Sequence, residues 1–437
     1  MKKIAILVFF TVGFFVHVWA CTGLIAGKQA TVDGSVLVTY SADSHTLYGA
    51  LTSSPAADWP KGSMRSIVEW DTNKPLGEIE QVEHTYAVIG NMNEHQLTVV
   101  ESTWGGRPEL VDTTGIIDYG SLMQLALERA KTAREAIKVM TGLVKKYGYY
   151  SSGESFTIAD PNEAWILDLI GKGPGRRGAV WVAVRIPDDC IAGHANYPRI
   201  HKIPMDDKEN CLYSPDVISF AREMGYFDGL NKDFSFARAY SPADFGALRA
   251  CDARVWSFFR KYDSTMDNYL PYVNGESAEP FPLYVKPSRK LSVQDMKEAM
   301  RDHFEDTPFD MTQDVGAGPF KVPYRFRPMS FEVDGKSYCM ERAIATQQTG
   351  FTLVGQMRNW LPDPVGGVLW FGVDDANTCV YIPMYCGITQ VPECFSPENG
   401  SMYDFSWTSA FWIHNWVANM AYARYEPMIG DIRKVQS

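Results

Sequence analysis

The chain has 437 residues, a formal net charge of −11 and 13% aromatic residues. The acidic balance excludes a basic surface suited to nucleic acid or to an anionic membrane. The aromatic content calls for a large packed core, and the length allows either one large layered domain or two to three of average size.

Met1 to Ala20 reads as a secretory leader. Lys2 and Lys3 precede an apolar run from Ile4 to Trp19, and Val18 and Ala20 are small enough for the −3 and −1 positions of a cleavage site. The run is short for a membrane span and lacks stop-transfer charges behind it. Export to the periplasm or the extracellular space is therefore expected, with the mature chain beginning at Cys21.

A hairpin follows at once: "TGLIAGK" and "SVLVTYS" are β-rich runs joined through the Asp33-Gly34 turn signal. This hairpin predicts Cys21 opposite Ser44 to His45, within two residues, and places Asp43 at the same end. "HTYAVIGNMNEHQLTVVES" is a second strand-turn-strand unit turning at Gly90 to Glu94. Ser121 to Tyr147 is expected as two helical pieces, with capping boxes at Ser121/Gln124 and Thr132/Glu135 and a stop at Gly148. "SFTIADPNEAWILDLIGKG" and "AVWVAVRIPDDCIAGHANYPRI" read as consecutive strands. Residues 262 to 291 are loop-rich, and Ser292 to Glu305 is expected as a capped helix. A further hairpin spans "VGGVLWFGVDDANTCVYIPMY". The helical segment from Ser406 to Tyr425 carries Trp407, Phe411 and Trp416 as expected core residues. Strand clusters alternating with grouped helices indicate an α+β fold. No repeat or linker breaks the chain, so residues 21–437 are expected as a single domain.

"GKGPGRRG" resembles a phosphate loop, but a strand follows it where a dinucleotide fingerprint needs a helix. It reads as a hairpin connection. The cysteine and histidine spacings fit no zinc template. His45, His84, His95, His194 and His201 could each partner a cysteine, yet none is distinguished locally.

Cys21 carries the functional question. Cleavage after Ala20 would give it a free α-amine of pKa about 7.7 to 8.0, able to take the proton of its own thiol. A partner histidine is then unnecessary. The other readings are a disulfide half, which sequence cannot pair, and a lipid anchor, which would remove the amine. The bulky Trp19 and the strand starting immediately after Cys21 speak for the nucleophile.

"CT" followed by "GKQATVDGSVLVTYSADS" resembles the start of the dipeptidase A-type cysteine peptidases, within the N-terminal-nucleophile hydrolase superfamily. The resemblance continues through "GNMNE", "DYGSLMQLALERAKTAREAI", "YGYYSSGESFTIADPNEAWIL", "HANYPRI" and "MRNWLPDPVGGVLWFGVDD", and is weakest over 262 to 330 and the last thirty residues. It implies a four-layer αββα sandwich of antiparallel sheets, a thioester on Cys21, and no metal or cofactor. Asp43 matches the acidic residue that positions the nucleophile, Asn93 the oxyanion donor, and Asn196 a second asparagine close to the nucleophile. Arg254 corresponds to a further arginine of the acylase branch. That branch has another arginine three residues before the aspartate, where this chain has Tyr40.

The expected function is an exported cysteine peptidase acting on dipeptides or short peptides. The rivals are an amide acylase of bile-acid or penicillin type on the same core, and a non-catalytic lipid-anchored binding protein. No nucleic acid partner is expected, and no membrane contact unless Cys21 is lipidated. A homo-oligomer stays open.

Overall fold

The computed structural model describes residues 21–325 and 330–437. The leader, and with it the cleavage site, lies outside these residues. Two antiparallel sheets dominate. The first contains β1 (Gly23–Ala26) and β2 (Val36–Asp43); the second is built on β3 (Thr98–Gly105), β4 (Gly153–Ala159), β5 (Ala164–Gly171) and β6 (Ala179–Ile186). The chain then returns to the first sheet with β7 (Ile191–His194), β8 (Thr349–Met357), β9 (Val368–Val373) and β10 (Ile382–Tyr385). The first sheet runs from the short strand Tyr284–Val285 through β7, β1, β2, β8 and β9 to β10. The second runs from Cys211–Tyr213 through β6, β5, β4 and β3 to three two-residue strands, Met92–Asn93, Val88–Ile89 and Ser53–Ser54.

Strands β1, β5 and β6 are largely buried on both faces, which is why apolar residues stand on either side of them. Between the sheets, Ile25, Val36, Val38 and Tyr40 of the first pack with Val100, Ile166 and Val182 of the second. Their neighbours on the opposite face, Leu24, Ala26 and Leu37, meet helices α3 (Ala253–Arg260) and α4 (Val293–Ala299) through Trp256, Phe259 and Met296. Outside the second sheet, α1 (Tyr119–Arg129) and α2 (Ala133–Tyr147) bury Leu122, Leu125, Ile137 and Met140 on Val99, Phe156 and Trp165. The result is the expected αββα order of layers.

Local signals fared unevenly. "GKGPGRRG" joins β5 to β6, with Gly171 paired to Ala179, and so is a hairpin connection. Thr132 accepts from the Glu135 N–H at 3.3 Å and caps α2, which stops at Gly148 (φ 81°). Ser121 is not the cap of α1. Asp118 accepts the Ser121 N–H at 3.2 Å, and the helix begins two residues before Ser121. The Ser292/Asp295 capping box is present, but α4 ends at Ala299 rather than Glu305. Phe304 and Asp306, with φ of 64° and 59°, turn the chain out of the helical path. The C-terminal segment forms α5 (Ala410–Ala423) and α6 (Tyr425–Gln436). Phe411 is buried there, whereas Trp407 and Trp416 are 62% and 49% exposed and pack on each other, not in the core.

Candidate active site

Cys21 is the first described residue, and it leads directly into the first sheet. Thr22 bridges Ser41, so Cys21 stands opposite Ala42, at the near limit of the expected window. Strand alternation turns its side chain toward the gap between the sheets, on the same face as Ile25 and Tyr40. The thiol lines a cavity of about 300 Å³ with Tyr40, Asp71, Asn91, Glu101 and Tyr119.

The Tyr40 hydroxyl lies 3.7 Å from Cys21 Sγ and donates to Glu101 Oε1 at 2.5 Å. Glu101 comes from β3 in the facing sheet, so the Cys21 thiol is flanked by one residue from each sheet. Burial pushes the Cys21 thiol well above its ordinary value, and the Glu101 and Asp43 carboxylates push it further. The Asp43 N–H and the Tyr40 hydroxyl act in the opposite direction. At neutral pH the thiol therefore keeps its proton until a base takes it. Burial also raises Glu101, against the lowering effect of the Tyr40 hydrogen bond.

Asp43 closes β2 and lines the same cavity. Its Oδ2 accepts from Arg342 Nη2 at 2.6 Å and from Ser41 Oγ at 3.1 Å; its Oδ1 accepts from Thr349 Oγ1 at 2.7 Å. Both members of the ion pair are buried. The pair holds the end of β2 against β8, where Asp43 faces Thr349 across the ladder.

Arg254 reaches Cys21 through the Cys21 backbone. Nη1 donates to Cys21 O at 2.8 Å and to Thr22 Oγ1 at 2.7 Å; Nη2 donates to Asn196 Oδ1 at 2.7 Å. Burial, with Arg342 nearby, lowers it to about 10, so it stays cationic at neutral pH. Asn196, in the left-handed region at φ 56°, gives its Nδ2 to Thr103 O at 2.5 Å. It thus meets the site through Arg254 and does not line the cavity.

Asn93 is not at the site. Its Nδ2 donates to Leu127 O at 2.8 Å and Ala130 O at 2.7 Å, while Oδ1 accepts from the His95 and Leu97 N–H groups. The amide closes its own turn and satisfies the end of α1, leaving no proton for an oxyanion. The asparagine of this turn that lines the cavity is Asn91, whose Nδ2 donates to Val99 O at 3.0 Å. The two side chains differ because Asn91 lies in the connection between Val88–Ile89 and Met92–Asn93, whereas Asn93 lies in the paired strand opposite Val88.

The histidines play structural parts or lie elsewhere. His194, completely buried, contacts Ser102 Oγ at 2.6 Å and Thr157 Oγ1 at 2.8 Å, and burial lowers it to about 3. His45 lines a neighbouring cavity of about 320 Å³ with Arg325 and Arg342. No metal-binding cluster of His, Cys, Asp or Glu occurs among the described residues. Among the described residues, seven cysteines, Cys21 included, are free thiols.

Sequence reading missed Glu101, Asn91 and Arg342. Glu101 had a signal, as a lone charge inside the apolar run "LTVVESTW". Arg342 had none.

The profile of peptidase family C69 matches residues 20–437. The chain belongs to this family. C69 peptidases are of the cysteine type, which agrees with the buried thiol at the head of the cavity. A probable dipeptidase of Salmonella dublin is 27% identical over 396 residues, covering 84% of this C69 peptidase and 81% of that protein. A probable dipeptidase of Latilactobacillus sakei and dipeptidase A of Lactobacillus helveticus are each 24% identical over 429 residues, covering 93% of this chain and 82% of theirs.

Proposed function

We propose that this C69 peptidase is exported, is cleaved between Ala20 and Cys21, and hydrolyses dipeptides and short peptides through a thioester on Cys21. The observation that carries the reading is the position of Cys21. Its thiol heads the cavity beside Tyr40, and its carbonyl is clamped by Arg254 directly after the expected cleavage site. Relatives named as dipeptidases support the substrate class.

The chemistry follows from a thiol that keeps its proton at rest. The α-amine released by cleavage takes that proton as Sγ attacks the carbonyl carbon of the first substrate residue. The tetrahedral adduct collapses, the C–N bond breaks, and the departing amine takes the proton from the α-ammonium. Water, deprotonated by the same amine, then attacks the thioester and frees the acid and the thiol. Arg254 keeps Cys21 from shifting during both steps, and Asp43 with Arg342 holds the strand opposite it.

Two preparations test this: one chain beginning at Cys21, the other retaining Met1 to Ala20, each verified by intact mass. Dipeptide hydrolysis by the first alone is expected. Equal rates from a chain shown to keep its leader would overturn the amine as base, and an acyl adduct on the native Cys21 amine would favour a lipid anchor.

A further inference from the structure

We propose that Glu101 anchors the free α-ammonium of the substrate, so that the cavity selects peptides by their unblocked N-terminus. The inference rests on the peptidase reading for the position of the scissile carbonyl at Cys21.

The first support is the carboxylate itself. Glu101 is 2% exposed, in the middle of β3. Its Oε1 accepts from Tyr40, and its buried Oε2 has as neighbours the Glu154 carboxyl and the Cys21 thiol but no cation among the described residues. A buried carboxylate oxygen left so is unfavourable unless a cation or donor reaches it.

The second support is the charge of the cavity. Its described lining carries Asp43, Asp71 and Glu101 and no Lys, Arg or His. Asp43 is committed to Arg342, Ser41 and Thr349, and Asp71 accepts the Tyr119 hydroxyl at 2.8 Å. Glu101 is the lining carboxylate beside Cys21, and no cation among the described residues pairs with it. The groups around it are Cys21, Tyr40, Tyr119, Asp71 and the adjoining Glu154. Burial and Glu101 itself push Glu154 well above the ordinary carboxylate range. Two buried carboxyls so close share a proton, which leaves the pair with one negative charge beside Cys21.

The third support is distance. Tyr40 touches both partners, at 3.7 Å from Sγ and 2.5 Å from Glu101 Oε1. In a peptide with a free amine, the ammonium sits on the carbon next to the first carbonyl. With that carbonyl at Sγ, the ammonium falls between the thiol and Glu101. It also offsets the carboxylate that disfavours the thiolate, so the nucleophile becomes easier to ionise once an unblocked N-terminus is in place. An acylated amine, or the internal bond of a long peptide, has no cation to offer there.

The test compares an alanine dipeptide with its N-acetyl form, in chains beginning at Cys21 with the native fold checked by thermal unfolding. The wild-type chain should prefer the free amine in kcat/KM. Glu101→Gln should shrink that preference by about ten- to a hundred-fold, and Glu101→Asp, which keeps the charge, should retain part of it. Calorimetry in a Cys21→Ala background gives a readout without turnover. There the free dipeptide should bind about ten- to a hundred-fold more weakly once Glu101→Gln is added, with the acetylated form unaffected. Hydrolysis with undiminished preference in Glu101→Gln overturns the ammonium site and leaves the peptidase reading intact. Glu101-dependent binding of the dipeptide without any hydrolysis overturns the peptidase reading and leaves the site. Loss of both, with no binding and no hydrolysis in the wild-type chain, overturns the two together.

Discussion

Arg342 Nη2 lies 2.6 Å from Asp43 Oδ2, and the two side chains, 299 residues apart, form a buried ion pair at the end of β2. By sequence, Asp43 is a single acidic residue near Cys21; in the fold it is one half of a clamp between β2 and the segment that leads into β8.

Breaking that clamp from the Arg342 side leaves a buried carboxylate without its cation. Arg342→Ala is expected to destabilise the protein by about 3 to 5 kcal/mol, read as a lower denaturant midpoint. The double variant Asp43→Asn with Arg342→Ala should recover part of that loss. A single variant as stable as the wild type would show that the pair does not hold the strand.

Tyr40→Phe removes the hydroxyl that favours the Cys21 thiolate. The sign follows directly: the hydroxyl lowers the thiol pKa, so its loss raises it further above the ordinary value. The rate of iodoacetamide labelling of Cys21 against pH should move to higher pH, with less labelling at any pH below the midpoint. A curve that stays in place would remove Tyr40 from contact with the nucleophile.

Asn93→Ala should separate shaping from chemistry. The side chain makes four hydrogen bonds to backbone groups of its turn and of the end of α1. Leaving those buried groups unpaired costs about 1 to 3 kcal/mol each at most. A lower unfolding midpoint with kcat per folded molecule nearly unchanged is expected. A hundred-fold fall in kcat at normal stability would return Asn93 to the oxyanion role.

His194 should make the protein acid-sensitive. It is held neutral when folded, with its pKa lowered to about 3, whereas unfolded histidine takes a proton near 6.5. Between those values the unfolded state binds the extra proton, so this residue's contribution to stability falls as pH drops from about 6.5 toward 3, by up to about 1.4 kcal/mol per pH unit. His194→Gln should flatten the pH dependence of the unfolding free energy by that amount near pH 5. An unchanged slope would mean the imidazole is protonated in the folded protein.

Elements defined by neighbours in the chain are legible in the amino-acid sequence by itself: the hairpin that begins after Cys21, the caps at Thr132 and Ser292, the stop at Gly148, and the hairpin through "GKGPGRRG". Each depends on backbone geometry over a few residues, which composition and spacing encode. The place of Cys21 at the head of the first hairpin belongs to this class. The rest of the site depends on contacts across layers. Glu101 comes from the facing sheet, Arg342 from a segment nearly three hundred residues away, and Arg254 from a helix outside the sheet, and no local pattern states which buried charges will meet. The exchange of Asn93 for Asn91 has the same cause. Two asparagines two residues apart are equivalent as letters, and only the strand pairing, which leaves Asn91 in the connection and Asn93 in the strand, decides which one lines the cavity and which bonds the end of α1.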